Sequence, residues 1–237
     1  MGLVIKAIST KKELREFIKF PDRLHSGNKL YVPAIHSSEL FTLSVDKNPA
    51  FEFCRAKYWL AVQDGVTVGR IAGIINDRYN EKHKVKYARF GWLDFVDDKK
   101  VLIELFQAVR RWALSQKMEY IHGPLGFSSF DPSGILIEGF DEMPTSFAHY
   151  NYPYYPKLIE ELGYKKDVDW VEYNVKVPKT MPEKFLKGAE LVKQRHNLHC
   201  TVIRNKKDLL KYSDDVFNLL NAEYNGLYAF TELSYKQ

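Results

Sequence analysis

The sequence predicts an α/β fold, a mixed and mostly antiparallel central sheet flanked by helices. Three observations carry that expectation. Residues 57–63 and 66–75 are apolar runs on either side of Asp64-Gly65, a pair that supplies the positive φ angles of a tight hairpin turn. Val101, Leu102, Leu105, Phe106, Val109, Trp112 and Ala113 share one helical face, opposite Lys100, Glu104, Gln107 and Arg111. Strand-like and helix-like segments then alternate toward residue 177, giving three antiparallel strands followed by β-α crossovers.

In chain order, residues 3–8 read as an opening strand. Thr10 stands where a helix N-cap belongs, with Glu13 at capping-box spacing. Leu14, Phe17 and Ile18 continue that helix until Pro21 ends it. Residues 30–53 are interrupted by Pro33 and Pro49, with a short helix near 37–44. The hairpin follows, then a third strand of the set at 87–95. Asp97 or Asp98 caps the amphipathic helix. Residues 118–122 form a short buried strand. A long loop leads into a tyrosine-rich helix at Tyr154, and a last strand spans 168–177.

Composition narrows the class. The chain has 237 residues, 45% hydrophobic and 14% aromatic, enough to build a sizeable core. No apolar run approaches the roughly 20 residues that cross a bilayer. The apolar N-terminal run is too brief for a signal peptide, and Val4, Ile5 and Lys6 suit a strand better than a myristoylated Gly2. Cys54 and Cys200 have no ligand spacing, which points to free thiols in a reducing, cytoplasmic setting. A net charge of +5 permits an anionic ligand such as coenzyme A. Basic and acidic residues alternate with no dense basic arm, which argues against nucleic acid as a partner. His122 and His149 are isolated, and His196, His199 and Cys200 lack a further cluster, so no metal is expected.

The order of elements over 3–177, and the helix closing on Leu162-Gly163-Tyr164, resemble the GNAT superfamily of acyl-CoA N-acyltransferases. Several segments are similar, more narrowly, to a tandem GNAT-like subfamily. These are Val68-Gly69-Arg70-Ile71-Ala72, Gly123-Pro124, Gly134-Ile135-Leu136-Ile137-Glu138-Gly139-Phe140 and Tyr150-Asn151-Tyr152-Pro153-Tyr154-Tyr155. The resemblance implies acyl-CoA or acetyl-CoA as donor and a small-molecule amine as acceptor. It also implies a V-shaped split between two central strands for the thioester, and a glycine-rich loop before a helix for the pyrophosphate. Residues 94–101 stand at that loop. They contain no glycine and carry Asp94, Asp97 and Asp98, which only Lys99 and Lys100 would offset.

Past Pro178 the composition shifts. Residues 182–197 read as an amphipathic linking helix. Then residues 201–210 echo 4–14, each copy a strand, a basic pair, an acid and a helix. The expected organisation is a GNAT-like domain at 3–178, a linking helix at 179–198, and the start of a second GNAT-like lobe at 199–237. The chain's own second lobe is then a partner.

The resemblance also implies a tyrosine acid on the last helix. Laid on that pattern, Ile159 falls at the tyrosine position, and Tyr155, one turn earlier, shares its face. Tyr155 is the candidate acid, while Tyr152, Tyr154 and Tyr155 can also be read as packing aromatics. Asp94, read as sharing a strand face with Phe90 and Trp92, is the candidate base with a pKa raised by apolar surroundings; the other reading is an exposed strand end. Asn151 either bonds a pantetheine amide or shapes a turn with Pro153. The loop at 123–144 is long for a compact domain. Gly123, Phe127, Ser128 and Ser129 offer it donors, hydroxyls and an aromatic platform. Glu138, Asp141 and Glu142 suit a cationic amine, and Tyr152 and Tyr154 complete the substrate set. Its other reading is an Ω-loop packed on itself. Two functions follow: an N-acyltransferase moving an acyl group from a thioester to an amine, or a non-catalytic GNAT-like lobe that binds a ligand or its partner lobe.

Overall fold

In the computed structural model, which describes residues 2–145, 148–234 and 236, five strands form one sheet in chain order. β1 (Leu3–Ala7), β2 (Cys54–Gln63), β3 (Val66–Asn76) and β4 (Tyr87–Phe95) pair antiparallel in succession, and β5 (Tyr120–His122) runs parallel to β4. The sheet is therefore mixed and mostly antiparallel. Asp64 and Gly65 turn the central hairpin with φ of 50° and 84°, as the Asp-Gly pair requires.

Helices cover both faces. α1 (Lys11–Leu24) begins with the expected capping box, Thr10 accepting from the Glu13 amide while the Glu13 carboxylate accepts from the Thr10 amide. It packs on one face with α2 (His36–Thr42), where Leu14, Phe17, Ile18 and Leu43 meet Tyr58, Leu60, Ala72 and Ile74. A short helix not anticipated from the sequence, α3 (Asp77–His83), follows β3, with Asn76 as its side-chain cap. The opposite face is covered by α4 (Lys99–Ser115), capped by Asp98, and α5 (Tyr154–Glu161). There Leu102, Leu105, Phe106 and Val109 meet Ile71, Phe90 and Phe95.

Pro21 does not end α1. The helix runs through it to Leu24. A proline inside a helix has no amide for the carbonyl four residues earlier, here that of Phe17. That carbonyl is not orphaned, because the Arg70 Nη1 of β3 donates to it at 2.9 Å. A tertiary hydrogen bond thus replaces the helical one, and it fixes Arg70 in the interior of the first unit.

β4 carries an irregularity that the alternation of its sequence hides. Its register with β3 pairs Arg70 with Asp94 and Ala72 with Gly91, which leaves two β4 residues opposite Ile71. One of them, Trp92, has φ of 45°. This is a β-bulge, and it resets the alternation. Phe90, Leu93 and Phe95 face α4, whereas Trp92 lies in the core under α1. Asp94 therefore does not share a face with Phe90, contrary to the plain alternation of the sequence. Just before the bulge, a Cβ on Gly91 would lie 2.5 Å from the Leu125 carbonyl oxygen. Gly91→Ala is expected to cost about 1–3 kcal/mol, the usual range for overpacking, read as a drop in the urea midpoint with an unchanged slope.

The chain divides into two compact units, Met1–Lys166 with Glu223–Gln237, and Asp167–Ala222. In the first, residues 229–231 are buried, with Ala229 accepting from the buried Arg89 Nη2 at 3.1 Å and Thr231 from Asn76. The second contains α6 (Glu183–Arg195), α7 (Lys206–Leu210) and most of α8 (Ser213–Tyr224). The strand expected at 168–177 does not form, and Val171, Tyr173, Val175 and Val177 are exposed. Nor do residues 201–204 form a strand. Apolar alternation becomes a strand only where a neighbour supplies the hydrogen-bond ladder, and the second unit contains no strand.

Candidate active site

The site is built where the replacement hydrogen bond of α1 meets the bulge of β4. Arg70 is 5% exposed and Asp94 8%. Arg70 Nε donates to Asp94 Oδ2 at 2.7 Å while its Nη1 holds the Phe17 carbonyl, so the guanidinium is pinned from two sides. Its planar head also lies over the Phe17 ring, 5.0 Å from the centroid. A buried carboxylate is tolerated when it is paired and hydrogen-bonded. Burial is the largest single influence on Asp94 and raises its pKa, but Arg70, His25 and His149 together outweigh it and hold the carboxyl below its usual 3.8. The raised pKa expected from apolar surroundings is thus overturned by the arginine beside it.

Two side chains approach the other oxygen. The Tyr155 hydroxyl lies 3.4 Å from Asp94 Oδ1 and accepts from the Phe95 amide at 3.1 Å. His25 Nε2 is 3.8 Å from the same oxygen, a charge-pair distance too long for a hydrogen bond. Tyr155 is 2% exposed, and burial, followed by the charge of Asp94, pushes its hydroxyl well above 10. It stays protonated at any working pH. Its neighbour Tyr154 donates to the Phe95 carbonyl at 2.5 Å.

Two narrow concavities meet here. One is lined by Ile18, Pro21, Tyr31, Val32, Ala34 and Glu39, and opens over α1 and α2. The other is lined by Trp92, Leu93, Pro124, Gly134, Ile135, Asn151 and Tyr155, beside the bulge. The parallel pairing of β4 with β5 reaches only Arg89 and His122, so the second concavity lies beyond its end. Arg70, Asp94, His149 and Tyr150 line both. His149 is exposed as a residue, yet protein surrounds its side chain on most sides. That desolvation draws its pKa below 6.5; Asp94 and Glu39 pull it up, and Arg70 and His25 pull it down. Glu39 accepts from the Trp92 indole at 2.6 Å, which orients it toward the first concavity.

The residues singled out from the sequence fall in several separate places. Tyr155, Asp94 and Asn151 line the second concavity together. Asn151 accepts from the Leu136 amide at 2.7 Å and donates to the carbonyls of Leu136 and Tyr152, tying the long loop to the start of α5. Tyr152 and Tyr154 stack at 5.7 Å beside it. Gly123, with φ of 149°, sits where a Cβ would lie 2.3 Å from the Phe90 carbonyl oxygen. Phe127 is buried against Trp92 and Phe51. The Ser128 amide donates to Asp131, and the Ser129 hydroxyl to the Ala229 carbonyl. Glu138 and Asp141 are exposed on the loop. Lys99 pairs with Glu161 at 2.8 Å, and the Lys100 amide donates to the capping Asp98. The sequence reading had no role for Arg70, His25, Glu39 or Tyr150, and weighed His149 only as a metal ligand. Buried Cys54 has its thiol pushed up to about 12 by burial, which removes it as a nucleophile. Among the described residues no group of His, Cys, Asp and Glu could hold a metal ion, and no helix is long and apolar enough to cross a membrane.

No protein-family profile matches the chain. Two curated proteins are similar over 97% of it: protein YghO of Escherichia coli at 28% identity and the bacterial ceramide synthase of Caulobacter vibrioides at 25%. The chain spans 59% of the length of each. Among solved structures, it resembles a predicted acetyltransferase with acetyl-CoA from Clostridium acetobutylicum, at a TM-score of 0.45 and 9% identity over 73% of this chain and 96% of that one. It also resembles the aminoglycoside acetyltransferase AAC(6')-Iy with a bisubstrate analogue, at 0.44 and 13% over 75% and 100%. FeeM, an N-acyl amino acid synthase from uncultured soil microbes, scores 0.36 at 16% identity over 50% and 69%. These are likenesses of layout; the fold is read from the sheet and helices themselves.

Proposed function

We propose that the first unit transfers an acyl group from an acyl thioester such as acyl-CoA to an amine, in the manner of GNAT acyltransferases. The observation that carries this reading is the meeting of two concavities at one cluster of Arg70, Asp94, His149 and Tyr150. A reaction between two substrates needs such a meeting point, because holding both in contact removes much of the entropic barrier. The thioester lies in the concavity beside the β4 bulge, where the protonated Tyr155 hydroxyl stands. The amine enters over α1 and α2, drawn as its ammonium by Glu39 and Asp94, and gives up one proton to solvent before it attacks. His149, neutral near pH 7, takes the proton of the attacking nitrogen. The nitrogen bonds to the carbonyl carbon, the carbon–sulfur bond breaks, and the sulfur leaves with a proton from Tyr155. His149 returns its proton to the tyrosine oxygen, so an amide and a free thiol are the products.

The acceptor is an amine carried on an apolar chain. Ile18, Pro21, Val32 and Ala34 line its side of the site, and the similarity to a bacterial ceramide synthase supports such an acceptor. A second reading, a lobe that binds without catalysis, is favoured by two features. The first turn of α4 is already filled by Asp98, where a pyrophosphate would need free amides. Both backbone polar groups of Phe95 are taken by Tyr154 and Tyr155. The test is thiol release from acetyl-CoA and a long-chain acyl-CoA with short and long-chain amines, using this chain and a protein of the relatives' full length. Amide formation supports the transferase. Absence of both thiol release and calorimetric binding in both proteins leaves the non-catalytic reading.

A further inference from the structure

His25 is the most anomalous buried group beside the site. It ends α1 as its C-cap, with its backbone amide bonded to Pro21. Its ring is 1% exposed, yet neither Nδ1 nor Nε2 has a hydrogen-bond partner. Leaving a buried polar atom unpaired costs about 1–3 kcal/mol, and a native structure keeps such a group for a reason. The ring is clamped between Tyr31 at 4.5 Å and Tyr152 at 4.8 Å, with Tyr150 edge-on at 5.7 Å. Stacking fixes the plane of the imidazole but resists sliding within that plane only weakly. Nε2 lies 3.8 Å from Asp94 Oδ1, which is already approached by Tyr155. Asp94 Oδ2 is held firmly by Arg70, whereas Oδ1 has two suitors at 3.4 and 3.8 Å, neither at an ideal distance.

We infer that His25 is a positioning residue acting through Tyr155: when ligand fills the cleft, the Nε2–H of His25 closes onto Asp94 Oδ1 and displaces the Tyr155 hydroxyl. The inference rests on the acyl-transfer reading, in which that hydroxyl must turn its proton toward the leaving sulfur. A tyrosine whose proton is committed to a carboxylate is a poor donor to anything else. A second donor that takes over the carboxylate frees it, while the Phe95 amide still anchors the tyrosine oxygen. The tyrosine wall supports this role. Tyr31 and Tyr150 line the first concavity and touch His25 from the other side, so a ligand pressing on them bears on the imidazole.

The test is a double-mutant cycle with thiol release as readout. His25→Phe keeps the aromatic clamp and removes the donor, and His25→Gln restores an N–H near the Nε2 position. His25→Phe is expected to lower kcat about 100-fold, the lower end of a proton-transfer contribution, with KM within about twofold of wild type. His25→Gln should recover about a tenth or more of wild-type kcat by replacing the lost donor. In a Tyr155→Phe background, His25→Phe should have no further effect, because residues that act as one unit are not additive. Wild-type kcat in His25→Phe, or additive losses in the double variant, would overturn the inference and leave the acyl-transfer reading standing. Absence of thiol release by the wild-type protein would overturn both.

Discussion

Arg70→Met is expected to destabilise the first unit by about 3–5 kcal/mol, the cost of removing one partner from a buried ion pair. Two groups are stranded at once. Asp94 is left as a carboxylate at 8% exposure without its cation. The Phe17 carbonyl, already denied a helical partner by Pro21, loses its substitute. Arg70→Lys should recover only part of this. A single ammonium on a flexible stem does not reproduce a planar fork that holds Asp94 Oδ2 and the Phe17 carbonyl together. The informative variant is the double one. Arg70→Met with Asp94→Leu removes the stranded charge and, by the same principle, should recover most of the loss. The proposed acyl transfer should still be abolished, because the carboxylate that faces Tyr155 and His149 is gone. Urea denaturation of the four proteins measures it. Equal stability of Arg70→Met and wild type would mean the pair contributes nothing to the fold.

The same arginine shows where the sequence is legible and where it is not. Elements set by local chemistry are plain in it: the Asp64-Gly65 turn, the Thr10 and Glu13 box, the Asp98 cap and the apolar face of α4. Each is decided within a few residues. The continuation of α1 through Pro21 is decided by a donor 53 positions away, and no local rule contains it. The bulge at Trp92 is equally hidden, since Tyr87 to Phe95 reads as an ordinary strand until β3 fixes the register. Residues 168–177 err in the opposite direction: their alternation is strand-like, but a strand needs a neighbour. Of the site, Asp94 was singled out as a carboxylate on an apolar strand face and Tyr155 through the resemblance of its helix, and the two side chains approach each other. Arg70, His25 and His149 were not legible, because they come from β3, the end of α1 and the long loop before α5. Spacing along the chain cannot reveal a cluster assembled from separate elements, and spacing is what a search for metal ligands tests.

His149→Ala is expected to lower kcat by about 10²–10⁴-fold, the range for loss of a general base. The pH profile separates that role from a packing one. In the proposed transfer His149 acts in its neutral form, and its pKa lies below 6.5. The wild-type rate should therefore be level near pH 7 and fall as the pH drops through the folded pKa. The charges facing the imidazole set the position of that limb. Asp94 and Glu39 raise the pKa, while Arg70 and His25 lower it. Glu39→Gln should accordingly move the acid limb to lower pH, widening the active range even if the acceptor binds less well. Stability follows the same sign. A histidine with a folded pKa below 6.5 binds fewer protons folded than unfolded, so its contribution is complete above 6.5 and is lost as the pH falls from 6.5 to the folded value. His149→Phe should remove that component, so the wild-type and variant stability curves converge or cross in this window and run parallel above it. An acid limb unmoved by Glu39→Gln, together with parallel stability curves down to pH 4, would assign the proton transfer to another group.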